Sequence, residues 1–320
     1  MMNEKQFEAK QIIFAFTERG ESVRFSNQNL VIENALGKVR YQSSCYKLFA
    51  LAVVGHFTIT SGLLQASRKF NFPIVLLTHS LRIYEIIGNQ TEGNFLLRKK
   101  QYNFDSLDGA KFFIRNKIKN QRYALSQIRS KTPEQKEAIE SLDGYLESLK
   151  QYNGDWTGLL GIEGSAARIY FKNFFDNVEW QGRKPRLKHD YVNATLDIAY
   201  TMLFTFVEVI LRLYGFDLYY GILHKQFYQR KSLVCDVMEP LRPMIDHAVK
   251  KAINLGQCRE EDFVIVNHQY KLKFEENKNY LEWIMQPLME HKNVIFLYIQ
   301  SFYRNFMKEK DPNDWQEVLL

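Results

Sequence analysis

Near residue 90 the hydrophobic pattern of this chain changes its period, and no single layer of secondary structure accommodates both halves. Before that point apolar residues come in short runs: IIFAF, VRF, LVIEN, KVRYQ, FALAVVGHFTIT and FPIVLLTHSLRIYEIIG. They are rich in β-branched and aromatic side chains and partly alternate, as strands do. Gly20, Asn27 to Asn29, Asn34 to Gly37, and Asn71 with Pro73 punctuate them as turns. Thr60 to Phe70 reads as one short helix. Beyond the polar stretch GNQTEGN (Gly88 to Asn94) the apolar spacing becomes three and four, the period of helices. The expectation is an α+β chain, with a β-rich domain over residues 1–90, a linker over 91–104 and a larger all-α domain over 105–320. That domain carries one small hairpin, Phe263 to Phe274. A length of 320 residues suits about two domains.

Several helix boundaries are legible. A basic helix runs from Asp105 to Lys131. Thr132 and Pro133 are an N-cap and first helical residue, opening a helix that runs to about Tyr152. Asp190 is placed to cap a long apolar helix ending near Tyr214-Gly215. Ser232 is placed to cap another. Two final helices run from about Asn277 to His291 and Val294 to Lys308. The run Ala199 to Phe216 is apolar but holds Glu208 and Arg212, four apart and able to pair. It reads as a buried helix rather than a membrane span. The start, MMNEKQFEAK, carries no signal-peptide core. Cys45, Cys235 and Cys258 are scattered and form no CxxC, which suits a reducing cytoplasm.

Charge is concentrated. Ten Lys/Arg lie between Arg98 and Lys131 against two acids, Asp105 and Asp108; this local +8 exceeds the +7 of the whole chain. Such clustering favours a polyanion partner, against the plainer reading of a solvated helix face. Lys117, Lys119 and Arg122 belong to this patch. Arg183, Lys184 and Arg186 of the loop RKPRLK, with Arg230 and Lys231 of KQFYQRK, are further candidate phosphate contacts, against the reading of exposed connectors.

Three acids and one histidine stand out. Glu163 lies on the apolar side of its helix, four after Leu159 and three before Ala166, between Gly161 and Gly164. Small neighbours let a backbone or ligand approach. A carboxylate so placed must be paired, protonated or metal-bound. An ion pair, with Arg168 as a conceivable partner, and a metal both satisfy it. His224 follows the apolar GIL and precedes a basic loop. Asp236 and Glu239 stand three apart on one helix face, followed by Pro240 and Pro243. Each proline removes the bond to the residue four before it, leaving the carbonyls of Asp236 and Glu239 without helical partners and kinking the helix. The gathering of these groups around a divalent metal acting on a DNA phosphate is weighed against a prolyl kink with two surface acids, which the apolar flanks oppose. His56 and His79, in apolar strands, read as hydrogen-bonded core or edge residues. The sequence has no Walker loop, GxGxxG, GxSxG or zinc-type Cys/His spacing.

Four blocks, LLGIEGSAARIYFKNFF, NATLDIAYTMLF, GILH and, with its acid fifteen residues after His224, CDVMEPLRP, together resemble the CRISPR adaptation integrase family, CRISPR-associated protein one. They occur in the family's order, and the likeness spans nearly the whole chain. The EGN of Glu92 to Asn94, the basic run and the length are similar to members from single-effector, class two systems. The resemblance implies a metal-dependent DNA endonuclease/integrase. In it Glu163, His224 and Glu239 match the metal ligands, and Asp236 matches an acid that completes the site. Arg242 and Asn193 fall on family-typical positions with no catalytic role assigned. Tyr191 departs from the Pro that many members have there. Two carboxylates and an imidazole suit Mg²⁺ or Mn²⁺. The implied reaction is attack of a DNA 3′-OH on a phosphodiester of the CRISPR repeat, inserting new spacer DNA. The implied partners are double-stranded DNA, a second copy through the β domain as homodimer, and CRISPR-associated protein two as a bridge, with no membrane. A stand-alone metal-dependent nuclease on branched DNA and a non-catalytic DNA scaffold are the alternatives.

Overall fold

The computed structural model describes residues 3–320 apart from Asn89, Gln90, Glu92, Asn177, Glu179, Gln181 and Gln226. Glu92 of the EGN triplet, Asn89 and Gln90 of GNQTEGN and Gln226 of the basic loop therefore lie outside the described residues. The chain forms two compact units, Met1–Gly93 with Arg212–Gly215, and Asn94–Leu211 with Phe216–Leu320.

The first unit holds two sheets. It begins with a five-residue helix, α1 (Glu4–Glu8), closed by a capping box of Asn3 and Gln6. The strand pattern gave no sign of it; its Phe7 ring packs on Phe49 at 4.9 Å. Next come β1 (Gln11–Thr17), β2 (Ser22–Ser26), β3 (Asn29–Glu33), β4 (Val39–Ser44), β5 (Leu48–Gly55), β6 (Thr58–Ile59), helix α2 (Ser61–Phe70), β7 (Ile74–Leu77) and β8 (Ile83–Ile87). One sheet has the order β1-β5-β7-β8, the other β4-β3-β2-β6. Strand β5 lies between two parallel neighbours and is buried along seven of its eight residues. That is why its run reads as continuously apolar rather than alternating. Asn27 and Gln28, both at positive φ, make the two-residue turn joining β2 to β3. Both sheets and α2 share one core, including Val23, Leu30, Leu51, Val53, Leu63 and Ile74.

Two runs that read as single strands are each divided. FALAVVGHFTIT breaks at Gly55, which has φ +109° and lies so near β1 that a Cβ there would stand 2.2 Å from the Thr17 carbonyl oxygen. FPIVLLTHSLRIYEIIG folds into the antiparallel pair β7–β8 around Thr78–Arg82. His56 and His79 consequently lie beyond strand ends and are exposed, their rings 4.8 Å apart, rather than in the strands.

The second unit is helical. Part of the expected linker is itself a helix, α3 (Phe95–Tyr102). Then follow α4 (Leu107–Ser126), α5 (Pro133–Lys150), α6 (Trp156–Phe174), α7 (Tyr191–Tyr214), α8 (Ser232–Met238) and α9 (Arg242–Asn254). The hairpin β9 (Phe263–Val266) and β10 (Gln269–Leu272) precedes α10 (Asn277–Glu290) and α11 (Lys292–Met307). Thr132 and Gln135 form the capping box of α5. Asp190 accepts from the Asn193 N–H at 2.6 Å and caps α7. Helix α7 is long and apolar enough to cross a membrane, yet it is mostly buried inside the protein. Its Glu208 is held by Lys231 Nζ at 2.6 Å.

The proline segment differs from the expectation in an instructive way. Helix α8 stops at Met238, one 3₁₀ turn spans Glu239–Leu241, and α9 starts at Arg242. The Glu239 N–H bonds the Asp236 carbonyl, and the Arg242 N–H bonds the Glu239 carbonyl. Tightening to i+3 bonds thus satisfies the two carbonyls that the prolines would otherwise orphan. Ser232 makes no cap; its hydroxyl donates to the Lys225 carbonyl at 3.3 Å. Helix α4 packs on α5, α6, α9 and the 3₁₀ turn, and so brings together the elements that carry Glu163 and Glu239.

Gly55→Ala tests the division of the strand. The added Cβ collides with backbone, which has no rotamer to yield, and the variant is expected to lose about 2 kcal/mol or more in urea unfolding. A loss below about 0.5 kcal/mol would contradict this account.

Candidate active site

Helix α4 turns a polar ridge inward: Asn116, Lys117, Asn120 and Gln121 are all buried. A buried amide must find partners. Asn120 donates to the Pro240 carbonyl at 2.8 Å, fastening α4 to the 3₁₀ turn. Beside it, the Lys117 ammonium hydrogen-bonds Glu163 Oε1 and lies 2.7 Å from Glu239 Oε2. Arg242, three residues beyond Glu239, donates Nε to its Oε1 at 3.0 Å. Burial alone would raise the Glu239 carboxyl, but Arg242 and Lys117 outweigh it and hold it at about 2. Its Oε2 is buried and makes no well-angled hydrogen bond, despite the ammonium at 2.7 Å.

Asp236 does different work. It is fully buried, and its carboxylate collects the backbone N–H groups of Ile222 at 2.5 Å, Leu223 at 2.9 Å and His224 at 2.9 Å. The same group meets His224 Nδ1 at 2.6 Å. Burial pushes its carboxyl up, and these bonds pull the other way. The GILH turn is therefore wrapped around one carboxylate. Gly221 permits it: a Cβ there would stand 2.5 Å from the His224 carbonyl oxygen and 2.9 Å from Asp236 Oδ2. With Nδ1 engaged, Nε2 is the nitrogen that His224 can offer to a ligand.

A cavity of about 1320 Å³ is bordered by Lys117, Glu163, His224, Glu239 and Arg242. Its wall continues along α6 through Gly164, Arg168 and Lys172, and across the loop bearing Arg183, Lys184 and Arg186. Arg230 also lines it. Apart from its chain neighbours and its own helix backbone, nothing lies within 4 Å of where a Cβ on Gly164 would stand, so α6 shows bare backbone to this space. Deeper in, Tyr200 sits between two guanidiniums, Arg242 at 4.5 Å and Arg183 at 5.3 Å from its ring centre. Its hydroxyl donates to Asp246.

A protein-family model for CRISPR associated protein Cas1 matches residues 14–285, most of the chain. The chain belongs to the Cas1 family. It is 29% identical over 275 residues to a CRISPR-associated endonuclease Cas1 of Thermodesulfovibrio yellowstonii, covering 82% of this chain and 86% of that protein. The fold also matches a casposase bound to integration product, with TM-score 0.76 and 19% identity over 92% of that chain and 94% of this one. It matches the corresponding part of a Cas6-RT-Cas1–Cas2 complex with TM-score 0.78 and 20% identity, covering 97% of this chain and 36% of that one. As a Cas1 protein the chain is an enzyme of the endonuclease/integrase class, a class that depends on metal.

The donor set of this Cas1 can be tested against a divalent cation. Glu163 and Glu239 already converge on one positive charge, Lys117. His224 borders the same cavity and is near enough to depress the Glu239 carboxyl. Its ring is fixed by a carboxylate, the arrangement usual for metal-binding histidines. The residues fit a hard divalent ion. Among the described residues, however, no three His, Cys, Asp or Glu stand together at metal-holding distance. Lys117 fills the space between the two glutamates.

Lys117, rather than Arg168, is thus the partner of Glu163. The basic patch is also altered. Lys119 pairs with Glu317 at 2.6 Å, Arg122 with Asp143 at 2.5 Å, Arg115 with Glu317 and Lys100 with Glu309. Counting charge within residues 98–131 could not see acids arriving from 143, 163, 239, 309 and 317. Lys117 is 7% exposed and does not face solvent as a DNA-backbone contact would. Lys231 is engaged by Glu208. Arg183 is anchored to Asp197 at 2.5 Å while still lining the cavity. Arg168 and Lys172 were not singled out as wall residues, although they stand four and eight residues after Gly164 on one face of its helix, which signals them.

Gly221→Ala is expected to unseat the turn around Asp236, with a stability loss of about 1–3 kcal/mol and a displaced His224 resonance by NMR. An unshifted imidazole would refute the steric argument. Asp246 gives a pH test. Burial pushes its carboxyl up to about 6, against the pull of Tyr200 and Arg242. Between about pH 4 and 6 the folded state keeps a proton that the unfolded chain has released, so this group's contribution to stability declines as pH rises through that window. Asp246→Asn should remove a decline on the order of 1–3 kcal/mol in urea titrations at pH 4 to 7. Parallel curves for variant and wild type would rule it out.

Proposed function

We propose that this Cas1 joins a DNA 3′-OH to a phosphodiester of the CRISPR repeat, inserting spacer DNA. Glu163, His224 and Glu239 hold Mg²⁺ or Mn²⁺, and Asp236 orients the His224 ring. The observation that carries the reading is the convergence of two carboxylates from separate elements on one cation, beside a histidine whose Nδ1 is already committed to a carboxylate. A bound divalent ion would polarise a non-bridging phosphate oxygen and stabilise charge that builds in the transition state. Transesterification breaks one phosphodiester and makes another, so no nucleotide cofactor is required. The protein's share is alignment. Arg168, Lys172, Lys184, Arg186 and Arg230 line the cavity and neutralise the strand's phosphates without reading its sequence. A metal-bound His224 has no free lone pair and does not serve as general base.

The partners are double-stranded DNA, a second copy of the chain through the β-rich unit, and Cas2 as a bridge. The solved neighbours, one a casposase on integration product and another a Cas1–Cas2 complex, support this reading. Three free cysteines suit a cytoplasmic enzyme.

The test is strand transfer with purified Cas2, 3′-OH DNA and a repeat-bearing plasmid. Glu163→Ala and His224→Ala are each expected to lower the rate about a hundredfold or more while DNA binding survives. Wild-type rates in either variant would overturn the proposal. Cleavage of branched DNA that needs neither Cas2 nor a 3′-OH would instead indicate a stand-alone nuclease.

A further inference from the structure

Lys117 is buried, bonded to Glu163 and within 2.7 Å of Glu239, yet it borders the large cavity. We propose that its ammonium is a resident cation that keeps the two glutamates paired and must leave before a divalent ion can bind. Metal uptake is then an exchange of cations rather than entry into a vacant site. This rests on the reading of Glu163 and Glu239 as metal ligands.

Mg²⁺ binds carboxylate oxygens at about 2.0–2.1 Å. An ammonium bonded to the same oxygens would then stand beside the ion. It has three donors and no lone pair, so it cannot become a ligand. Two like charges a few ångströms apart in a buried site repel strongly. The backbone of α4 cannot carry the ammonium away, because the neighbouring Asn116 and Asn120 tie it to Val318 and Pro240. The side chain can. Its four-carbon stem is flexible, and the cavity beside it is wide and lies next to bare backbone at Gly164.

The test measures metal binding directly. Mn²⁺ affinity is read by calorimetry and electron paramagnetic resonance on the full chain, for wild type, Lys117→Met, Lys117→Arg and Glu163→Gln. Lys117→Met is expected to bind Mn²⁺ roughly tenfold tighter or more, because the competing charge is gone. Its metal-free melting temperature should fall, and saturating Mn²⁺ should restore it. Lys117→Arg keeps the charge and is expected to bind no tighter than wild type, a comparison that holds even if Lys117→Met fails to fold. In wild type, amine labelling of Lys117 read by mass spectrometry should rise when Mg²⁺ is added. Equal or weaker Mn²⁺ binding by Lys117→Met, with binding still lost in Glu163→Gln, would overturn the exchange while leaving the metal site intact. Tighter binding by Lys117→Arg, or labelling of Lys117 unchanged by Mg²⁺, would also overturn it. Identical Mn²⁺ binding by wild type and Glu163→Gln would overturn both the exchange and the metal reading beneath it.

Discussion

The second unit must seat Glu163 and Glu239 at one cavity and bury Asp236 within the GILH turn, and the rest of its architecture follows from how each negative charge is compensated. Isolated carboxylates in such surroundings cost several kcal/mol each. Asp236 is answered by three backbone N–H groups and an imidazole, so its charge is spent locally on shaping the GILH turn. Glu239 is answered by Arg242 at the start of α9 and by Lys117 from α4. Glu163, the most accessible of the three, is answered by Lys117. One lysine therefore couples α4, α6 and the 3₁₀ turn. Its position is held in turn by the amides of Asn116 and Asn120.

This arrangement separates rigid from replaceable parts. The Asp236 cradle is built from backbone bonds around a glycine with no room for a side chain, and it fixes where His224 stands. The Lys117 ion pairs are made by a long flexible side chain on the edge of a cavity. A site that takes up a divalent ion, as proposed, would benefit from that division. The imidazole is pre-positioned, and the ion-paired half can reorganise without moving a helix.

Much of this was legible in the residues. The change of period near 90 separates sheets from helices, the caps at Thr132 and Asp190 are chemical signals that act locally, and the hairpin is a local pattern within Phe263 to Phe274. What could not be read depends on contacts distant in sequence. Gly55 divides a strand because Thr17 approaches it from another strand. Ser232 looks like a cap, yet its hydroxyl finds the Lys225 carbonyl first. The two prolines do remove helical bonds, but a 3₁₀ turn recovers them. The convergence of Glu163, Glu239 and Lys117 spans more than a hundred residues, and ordered motifs pointed to the two acids but not to the lysine between them.

The basic helix carries the same lesson for electrostatics. A run of positive charge in sequence counts as a DNA footprint only if its counter-charges are not supplied by the fold. In α4 they are: Glu317 takes Arg115 and Lys119, Asp143 takes Arg122, and the two site glutamates take Lys117. The positive field available to a strand near the site comes instead from the cavity wall, where Arg168 and Lys172 follow Glu163 along α6 and the loop from Arg183 to Arg186 faces them. The RKPRLK loop shows in a local count, but Arg168 and Lys172 are spaced along a helix and pass unnoticed in one. They border the same cavity as Glu163 and Glu239, and in the proposed reaction they would offset the repulsion between a strand's phosphates and those carboxylates.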